Sequence, residues 1–522
     1  MNSIISIHTR HDANVSVSID GKIVLILELE RLFRVRYFRS SSDKVEFRRQ
    51  WEKTIEVVKK ITHITAFDYA ITSWVIPSEL SILKEIIDAK QWLKCDHHFA
   101  HASLGYYDAG FVNPIILSFD GGGNDGTFNF YKTKDDVVQL VSRLKMNIGT
   151  SYRVLGTLMP ELTHHRPQPF GGDLALSGKL MGYSALGEVV EPWIKAFEDY
   201  YRYFQSPVQA FYSLSNEIGI DLEEGCDLDN LTARDIAATM QVALENVVIS
   251  EIEKHISSDT DGVVLVGGCA LNVVLNTKIW KHFGLPVHVP SAPNDCGISV
   301  GGILGCFPHE KGQSLTYLGL PLEDDDLSYK QYGKKYTLKS IAELLVKDDA
   351  IIGVVRGNSE VGPRALGNRS ILCFPNKKEK KDIVNFEIKQ REWFRPLAPI
   401  VPFDKQELFF DDQILSPYMS FALKYKDKMR GKFIPVEHFD GTARLQTVTK
   451  KQNEWIYALL EEIEILTGCP IVMNTSFNVK GKPLLNSVEE AFKILNDTEI
   501  THLIIEDLLF DKETTKRMFT DP

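Results

Sequence analysis

A short apolar strand running straight into paired glycines and a polar residue occurs twice in this chain, and no other feature restricts its fold as much. Residues 114–119 lead into Asp120-Gly121-Gly122-Gly123-Asn124-Asp125, and residues 262–266 lead into Gly267-Gly268-Cys269-Ala270-Leu271-Asn272. Brief, continuous apolar runs bounded by glycine read as buried strands. Main-chain N–H groups at such turns form nests for anions. A lone double glycine is usually an ordinary turn. Two of them, each closing a buried strand, point to nucleotide phosphates, with Gly121, Gly122, Gly123, Gly267, Gly268 and Asn272 as contacts. The start of the chain reads as a β-hairpin, residues 4–18 and 22–30 joined by the strong turn signal Asp20-Gly21.

A repeated strand and glycine loop behind an opening hairpin suits a duplicated α/β domain that grips a nucleotide between its halves. Actin, sugar kinases and heat-shock ATPases share that arrangement, so the expected fold class is α/β with an actin-like (ASKHA-type) N-terminal domain. Residues 233–257 are apolar at helical spacing. The composition turns polar and charged from Leu318 to Lys339, through Glu323-Asp324-Asp325-Asp326. A first domain over residues 1–330 and a second over 340–522 are therefore expected, the second large enough for its own core.

With 522 residues and a formal charge of -11, the chain is unsuited to a broad, non-specific grip on nucleic acid, although a local groove can still take an anion. Its seven cysteines form no CxxC pair, which reads as reduced thiols in the cytoplasm and not a disulfide frame or zinc knuckle. Met1-Asn2-Ser3-Ile4 opens no signal peptide pattern, and the most apolar run, residues 263–275, is too short to span a bilayer. No membrane partner is expected; a homodimer is the generic expectation.

Asp96-His97-His98-Phe99-Ala100-His101 puts His97 and His101 one helical turn apart, with Asp96 as candidate cap. Imidazoles so spaced grip a divalent ion when carboxylates complete the set, and Asp120 and Asp295 are the candidates. Such a site suits iron, manganese or zinc. Alone, the spacing fits a surface helix without a ligand equally well; the glycine loops tip the reading to metal. His11-Asp12 is a base and its orienter or, on spacing alone, a histidine with no task. His164-His165-Arg166 lies in a proline-rich loop and is given no role.

The second half carries the strongest local signal. Gly362-Pro363-Arg364-Ala365-Leu366-Gly367-Asn368-Arg369-Ser370 sets two arginines among glycines and a proline. Lys389, Arg391, Arg395 and Arg444 follow, then Asn474-Thr475-Ser476-Phe477-Asn478. Arginine forks suit phosphate and carboxylate oxygens. A solvated charged face seldom embeds its cations among Gly, Pro, Trp393 and Phe394, so a converging pocket for a phosphate-rich ligand is expected.

Together these residues resemble the O-carbamoyltransferase family of nodulation-factor and antibiotic biosynthesis, which includes the tobramycin and cephalosporin carbamoyltransferases. The likeness runs from Ile4 to about Leu495, and GPRALGNRS, IKQREWFRP (388–396), HFDGTARLQTV (438–448) and MNTSFN (473–478) carry it. The resemblance implies a C-terminal YrdC-like domain that condenses ATP, with its Mg2+, and carbamoyl phosphate to carbamoyl-adenylate. It implies a metal-bearing N-terminal domain that passes the carbamoyl group to an acceptor hydroxyl. By the same resemblance His97, His101, Asp120 and Asp295 hold the metal, commonly iron(II), and His11 belongs to the transfer site; Asp12 beside it and Arg36 complete the catalytic candidates. Arg364, Lys389, Arg395, Arg444, Asn474 and Ser476 take carbamoyl phosphate and ATP, with Arg369 and Ser370 of the same motif as further candidates, and Lys179 contacts nucleotide.

The chain departs from the family at four places. Arg36 stands where the family usually has lysine, and Ser359 replaces a common methionine. Serine replaces glutamate in the nucleotide-contact motif Ser177-Gly178-Lys179-Leu180-Met181-Gly182, and Tyr183-Ser184-Ala185-Leu186-Gly187 replaces the usual apolar-Ala-Pro-Tyr-Gly. A small-molecule alcohol, sugar or natural product, is the expected acceptor; a hydroxymethyl-pyrimidine, free or in DNA, fits the same chemistry. A regulatory actin-like ATPase without transfer activity is the alternative of another class. Threonylcarbamoylation of tRNA is a further rival, and would need a basic docking surface that the composition does not suggest.

Overall fold

The computed structural model describes residues 2–164, 173–223, 228–307, 309–324 and 327–515. The chain forms two compact units, one of Met1–Ile26 and Tyr37–Leu315, the other of Leu27–Arg36 and Thr316–Pro522.

The first unit opens with β1 (Ser3–His8), β2 (Asn14–Ile19) and β3 (Lys22–Glu28), followed by β4 (Phe67–Ser73) and β5 (Ala89–Lys94). Their order in the sheet is β3-β2-β1-β4-β5, with β1 antiparallel to β2 and parallel to β4, and β4 parallel to β5. The Asp20-Gly21 turn is where the sequence puts it, both residues having positive φ. The expected strand 4–18, however, is two strands. It folds back over residues 9–13, where Asp12 takes a φ of 55°. Aspartate tolerates that conformation, but Asp12 and Asn14 mark a turn less strongly than Asp20-Gly21, so the sequence reads through it as one strand.

A second sheet repeats the pattern with β6 (Ile115–Phe119), β7 (Phe128–Lys134), β8 (Val137–Leu144), β9 (Val263–Val266) and β10 (Val287–His288). The order is β10-β9-β6-β7-β8, with β6, β7 and β8 an antiparallel meander and β9 and β10 parallel additions on the other side of β6. In both sheets the first strand is central, the meander lies on one side and the parallel strands on the other. This is the duplicated, actin-like α/β arrangement expected from the repeated strand-glycine pattern.

Three helices matter for the site: α1 (His97–Ala109), α2 (Asn230–Glu253) and α3 (Ile298–Cys306). α1 and α3 approach so closely that a Cβ on Gly301 would stand 2.1 Å from the Ala100 carbonyl oxygen. Only glycine permits that contact, and it holds the turn before α3 beside the first turn of α1. Gly267 does similar service: its φ is 91°, and a Cβ there would meet the Phe119 carbonyl oxygen at 2.2 Å. The loop after β9 therefore lies directly against the end of β6.

The second unit is built on β11 (Lys334–Lys335), β12 (Ile351–Val355), β13 (Arg369–Cys373), β14 (Ala398–Pro402), β15 (Phe421–Lys424), β16 (Thr442–Val448), β17 (Val472–Ser476), β18 (His502–Ile505) and β19 (Leu508–Asp511). They form a nine-stranded sheet in the order β11-β19-β18-β12-β13-β17-β14-β16-β15. The segment Leu27–Arg36 belongs here. Glu28 accepts from the Gly362 N–H at 2.7 Å, and Arg31 donates to the Gly362 carbonyl oxygen at 2.7 Å. Among the described residues, no helix is long and apolar enough to cross a membrane. Asp325 and Asp326 of the acidic stretch lie outside the described residues.

Candidate active site

In the first unit α1 supplies two imidazoles from its buried face. Asp96 precedes the helix but makes no side-chain cap. It accepts instead from the Asn124 side-chain amide at 2.8 Å, while Asn124 Oδ1 and Asp125 Oδ1 each accept a main-chain N–H of the first turn, His97 and His98, at 2.9 Å. The cap thus comes from the same glycine loop that carries Asp120. His98, between the two candidate ligands, pairs with Ser118 Oγ at 2.7 Å and the Gly126 carbonyl oxygen at 2.9 Å, tying α1 to that loop again.

His97 Nε2 lies 3.5 Å from Asp295 Oδ1; His101 Nε2 lies 3.4 Å from the same oxygen and 3.6 Å from Asp120 Oδ2. One donor atom from each of these residues falls within 4.8 Å of all the others. Ligand bonds of about 2.1 Å arranged tetrahedrally need donors about 3.4 Å apart. The ring nitrogens of His97 and His101 and Oδ1 of Asp295 are buried and have no hydrogen-bond partner among the described residues, an arrangement expensive to keep without a ligand. The residues fit a divalent ion with two nitrogen and two oxygen donors.

The four groups hold each other's charge. Burial pulls His97 down to about 3, against the nearby Asp295 carboxylate. Burial pulls on His101 too, but Asp120 and Asp295 outweigh it and raise the imidazole to about 9. Burial opposes ionisation of Asp295, yet His97 and His11 hold it well below the usual carboxylate range.

Asp295 has a second side. Its Oδ2 lies 3.4 Å from His11 Nε2 and 3.5 Å from His8 Nε2. His11 is 43% exposed and its Nδ1 lies 3.3 Å from Asp12 Oδ2, so the ring that Asp12 orients is open to solvent. Burial lowers the His11 pKa, but Asp295 and Asp12 overcome it and carry it to about 9. Asn14 and Asn294 fix the frame: Asn14 donates to the carbonyl oxygens of Asp12 and Asp295 at 2.7 Å each, and Asn294 donates to Asp12 Oδ2 at 3.3 Å.

The glycine loops turn out to serve Asp120. Gly121 N donates to its Oδ1 and Gly268 N to its Oδ2, both at 2.6 Å. The main-chain donors expected on a phosphate at Gly121 and Gly268 are committed to orienting a carboxylate, because Gly267 brings its loop against β6. Gly122 and Gly123 continue the same turn. Asn272 caps the helix Val273–Phe283 through Leu275 N at 3.0 Å and binds Gln241 on α2. Lys179 lies on the helix Ala175–Tyr183. His164 closes the helix Pro160–Thr163, and His165 and Arg166 are outside the described residues.

In the second unit the cations form a group. Burial, then Arg364, Arg391 and Arg395, hold Arg444 well below the usual guanidinium range. Burial, then Arg391, Arg395 and Arg36, do the same to the Lys389 ammonium. Burial and Arg395 push Arg391 down to about 9. Arg391 Nη2 and Arg444 Nε are buried with no hydrogen-bond partner among the described residues. Like charges this close are costly unless an anion offsets them. Lys389 also holds the β17 turn, donating to the carbonyl oxygens of Ser476 at 2.6 Å and Asn478 at 2.9 Å and to Ser476 Oγ at 3.0 Å.

A Carbamoyltransferase N-terminus family model matches residues 47–304, and a Carbamoyltransferase C-terminus model matches residues 342–512. Nodulation protein U of Bradyrhizobium diazoefficiens is 30% identical over 70% of this chain and 69% of its own length. The chain belongs to the carbamoyltransferase family. Nodulation protein NolNO of Sinorhizobium fredii is 28% identical over 97% of this carbamoyltransferase and 79% of its own length. Full-length HypF in its phosphate- and nucleotide-bound form is similar over 58% of this chain and 55% of that chain, with 14% identity and a TM-score of 0.36; the fold assignment above rests on strand order and not on that likeness.

The carbamoyltransferase does not use all its predicted site residues alike. Arg36, grouped from the sequence with His11 and Asp12, falls in the second unit and faces Lys389 and Arg391. Arg369 is fully buried on β13 and donates to the carbonyl oxygens of Arg356, Asn368 and Gly357 between 2.8 and 3.1 Å. It braces the loop and does not present its fork to a ligand. Ser370 Oγ accepts from Gly367 N at 2.9 Å, and Asn474 donates to the Ala365 carbonyl oxygen at 2.9 Å and Gln446 Oε1 at 2.7 Å; both shape the same loop. Glu360 anchors it, one oxygen accepting from Leu366, Asn368 and Arg369 N–H groups. Sequence reasoning missed His8, which sits at the end of an apolar strand and reads there as core.

Proposed function

We propose that this carbamoyltransferase is an ATP-dependent O-carbamoyltransferase working through carbamoyl-adenylate. The observation that carries the reading is the group Arg36, Arg364, Lys389, Arg391, Arg395 and Arg444, in which burial and then the neighbouring positive charges hold Lys389, Arg391 and Arg444 below their usual ranges. ATP and carbamoyl phosphate bring several negative charges together, and clustered cations offset that repulsion. Carbamoyl phosphate and water give carbamate and phosphate. Carbamate then attacks the α-phosphorus of ATP, pyrophosphate leaves, and the product is a mixed anhydride of carbamate and AMP.

The second step is assigned to the first unit. Against burial, the Asp295 carboxylate charge carries the His11 pKa to about 9; a divalent ion on Asp295 would offset that charge. The neutral ring, oriented by Asp12, takes the proton of the acceptor hydroxyl as its oxygen attacks the carbamoyl carbon; AMP leaves with the electron pair. His97, His101, Asp120 and Asp295 would hold the divalent ion, which supplies Lewis-acid charge for the phosphate or carbamoyl oxygen. A small-molecule alcohol is the proposed acceptor.

The nucleotide products test the route. Incubation with ATP and carbamoyl phosphate should give AMP and pyrophosphate in chromatograms, and neither without carbamoyl phosphate. ADP and phosphate formed regardless of carbamoyl phosphate would establish a plain ATPase in its place.

A further inference from the structure

One half-buried imidazole in the second unit has no part in the scheme above. His438 precedes β16, and its Nδ1 lies 3.0 Å from Thr442 Oγ1. Thr442 Oγ1 in turn donates to Asp440 Oδ1 at 2.8 Å, and Thr442 N donates to the same oxygen at 3.0 Å. A carboxylate can only accept, so the threonine hydroxyl gives its proton to Asp440 and has a lone pair left for the histidine. That order makes Nδ1 the protonated nitrogen. Nε2 is then a bare lone pair, and it is buried with no hydrogen-bond partner among the described residues.

The surroundings identify what Nε2 would meet. Thr442 and Arg444 alternate onto one face of β16. The Trp393 ring, between Arg391 and Arg395 in the chain, packs edge-on against Phe439 at 5.3 Å between centroids, and Lys381 Nζ stands 5.3 Å from the Phe439 ring. The His438 turn therefore abuts the segment that carries the cations. Burial keeps the imidazole neutral, with Arg444 and Lys381 acting in the same sense against Asp440, at a pKa of about 4. An anion bound beside Arg444 offsets that charge and returns basicity to the ring.

We propose that His438 is a catalytic base of this unit, its Nε2 accepting the proton of the water that cleaves carbamoyl phosphate. The water oxygen bonds to phosphorus, the bond from phosphorus to the carbamoyl oxygen breaks, and carbamate leaves with that electron pair. The water proton passes to Nε2 and then to bulk, so carbamoyl phosphate and water become carbamate, phosphate and a proton. Asp440 and Thr442 are positioning residues that fix the tautomer. The proposal rests on the adenylate route and assigns its water-consuming step.

Two partial reactions separate the outcomes. Phosphate release from carbamoyl phosphate reports the cleavage, and ATP–pyrophosphate exchange driven by ammonium carbamate reports adenylate formation without it. His438→Asn should slow phosphate release by roughly 100-fold or more and leave carbamate-driven exchange at the wild-type rate. Thr442→Val, which frees the tautomer, should lose roughly 10-fold by the same selective pattern, and carries the test should the first variant not fold. Cleavage in 18O-water should label the released phosphate. Undiminished phosphate release in these variants, equal loss of both reactions, or unlabelled phosphate overturns the assignment while leaving the route intact. Wild-type protein that exchanges pyrophosphate with neither carbamate nor carbamoyl phosphate overturns the route, and the assignment with it.

Discussion

His101 Nε2 stands 3.4 Å from Asp295 Oδ1, although one residue is on α1 and the other enters the turn before α3. The Gly301–Ala100 contact sets that distance, since nothing larger than glycine lets the helices close. Asp295→Asn should therefore abolish stoichiometric binding of a divalent ion, read by equilibrium dialysis with metal analysis. It should also lower the melting temperature of metal-free protein, because the variant leaves buried imidazoles without their counter-charge, a loss of about 3 kcal/mol or more. Unchanged metal content in this variant would refute the ligand assignment.

His8 should tune the same ion from outside. It is fully buried and meets Asp295 Oδ2, the oxygen turned away from His97 and His101. Partners of this kind orient a ligating carboxylate, and their loss commonly weakens metal affinity by about 10- to 100-fold. His8→Phe keeps the volume and removes the nitrogen. The expected result is weaker binding in a metal-chelator competition with circular dichroism preserved; wild-type affinity would reduce His8 to a packing residue.

Arg444 gives a prediction with opposite signs in two measurements. It is held among Arg364, Arg391 and Arg395, and its Nε has no hydrogen-bond partner among the described residues. Arg444→Met removes a charge that the empty pocket repels, so ligand-free protein should melt higher than wild type. Carbamoyl phosphate and ATP should then stabilise the variant far less than they stabilise wild type. Thermal unfolding with and without both ligands reads both effects, and a variant that melts lower yet responds fully to ligand would show that Arg444 is structural.

The contrast between Arg444 and Arg369 shows where the sequence is legible. Both are arginines in glycine-containing motifs, and the residue type alone points both to an anion. The difference is what surrounds them: Arg369 is on a central strand with three carbonyl oxygens in reach, and Arg444 has other guanidiniums. The repeated strand-glycine pattern and the paired imidazoles of His97 and His101 could be read from periodicity and spacing, because glycine after a buried strand and imidazoles one turn apart are local patterns. The Asp12 turn could not, since an aspartate without a following glycine is a weaker turn signal than Asp20-Gly21. Nor could the cap of α1, because Asn124 and Asp125 reach it from another element. The place of Arg36 in the second unit depends on Glu28 and Arg31 binding Gly362 across a long stretch of chain.

The same logic gives His438 a defined effect on stability against pH. Its imidazole is lowered to about 4 in the folded protein, by burial first and then by Arg444 and Lys381 against Asp440, while an unfolded histidine titrates near 6.5. Between those values the unfolded chain binds the extra proton, so stability rises with pH across the window. The contribution is fully present above about 6.5, is lost as pH falls toward about 4, and does not change further below that. His438→Asn removes the titrating group, so its melting temperature should fall less steeply than wild type between pH 6.5 and 4, with the curves parallel at higher pH. Identical slopes in the two proteins would mean that the imidazole takes up its proton in the fold as easily as in water, and the neutral, lone-pair-bearing Nε2 would go with it.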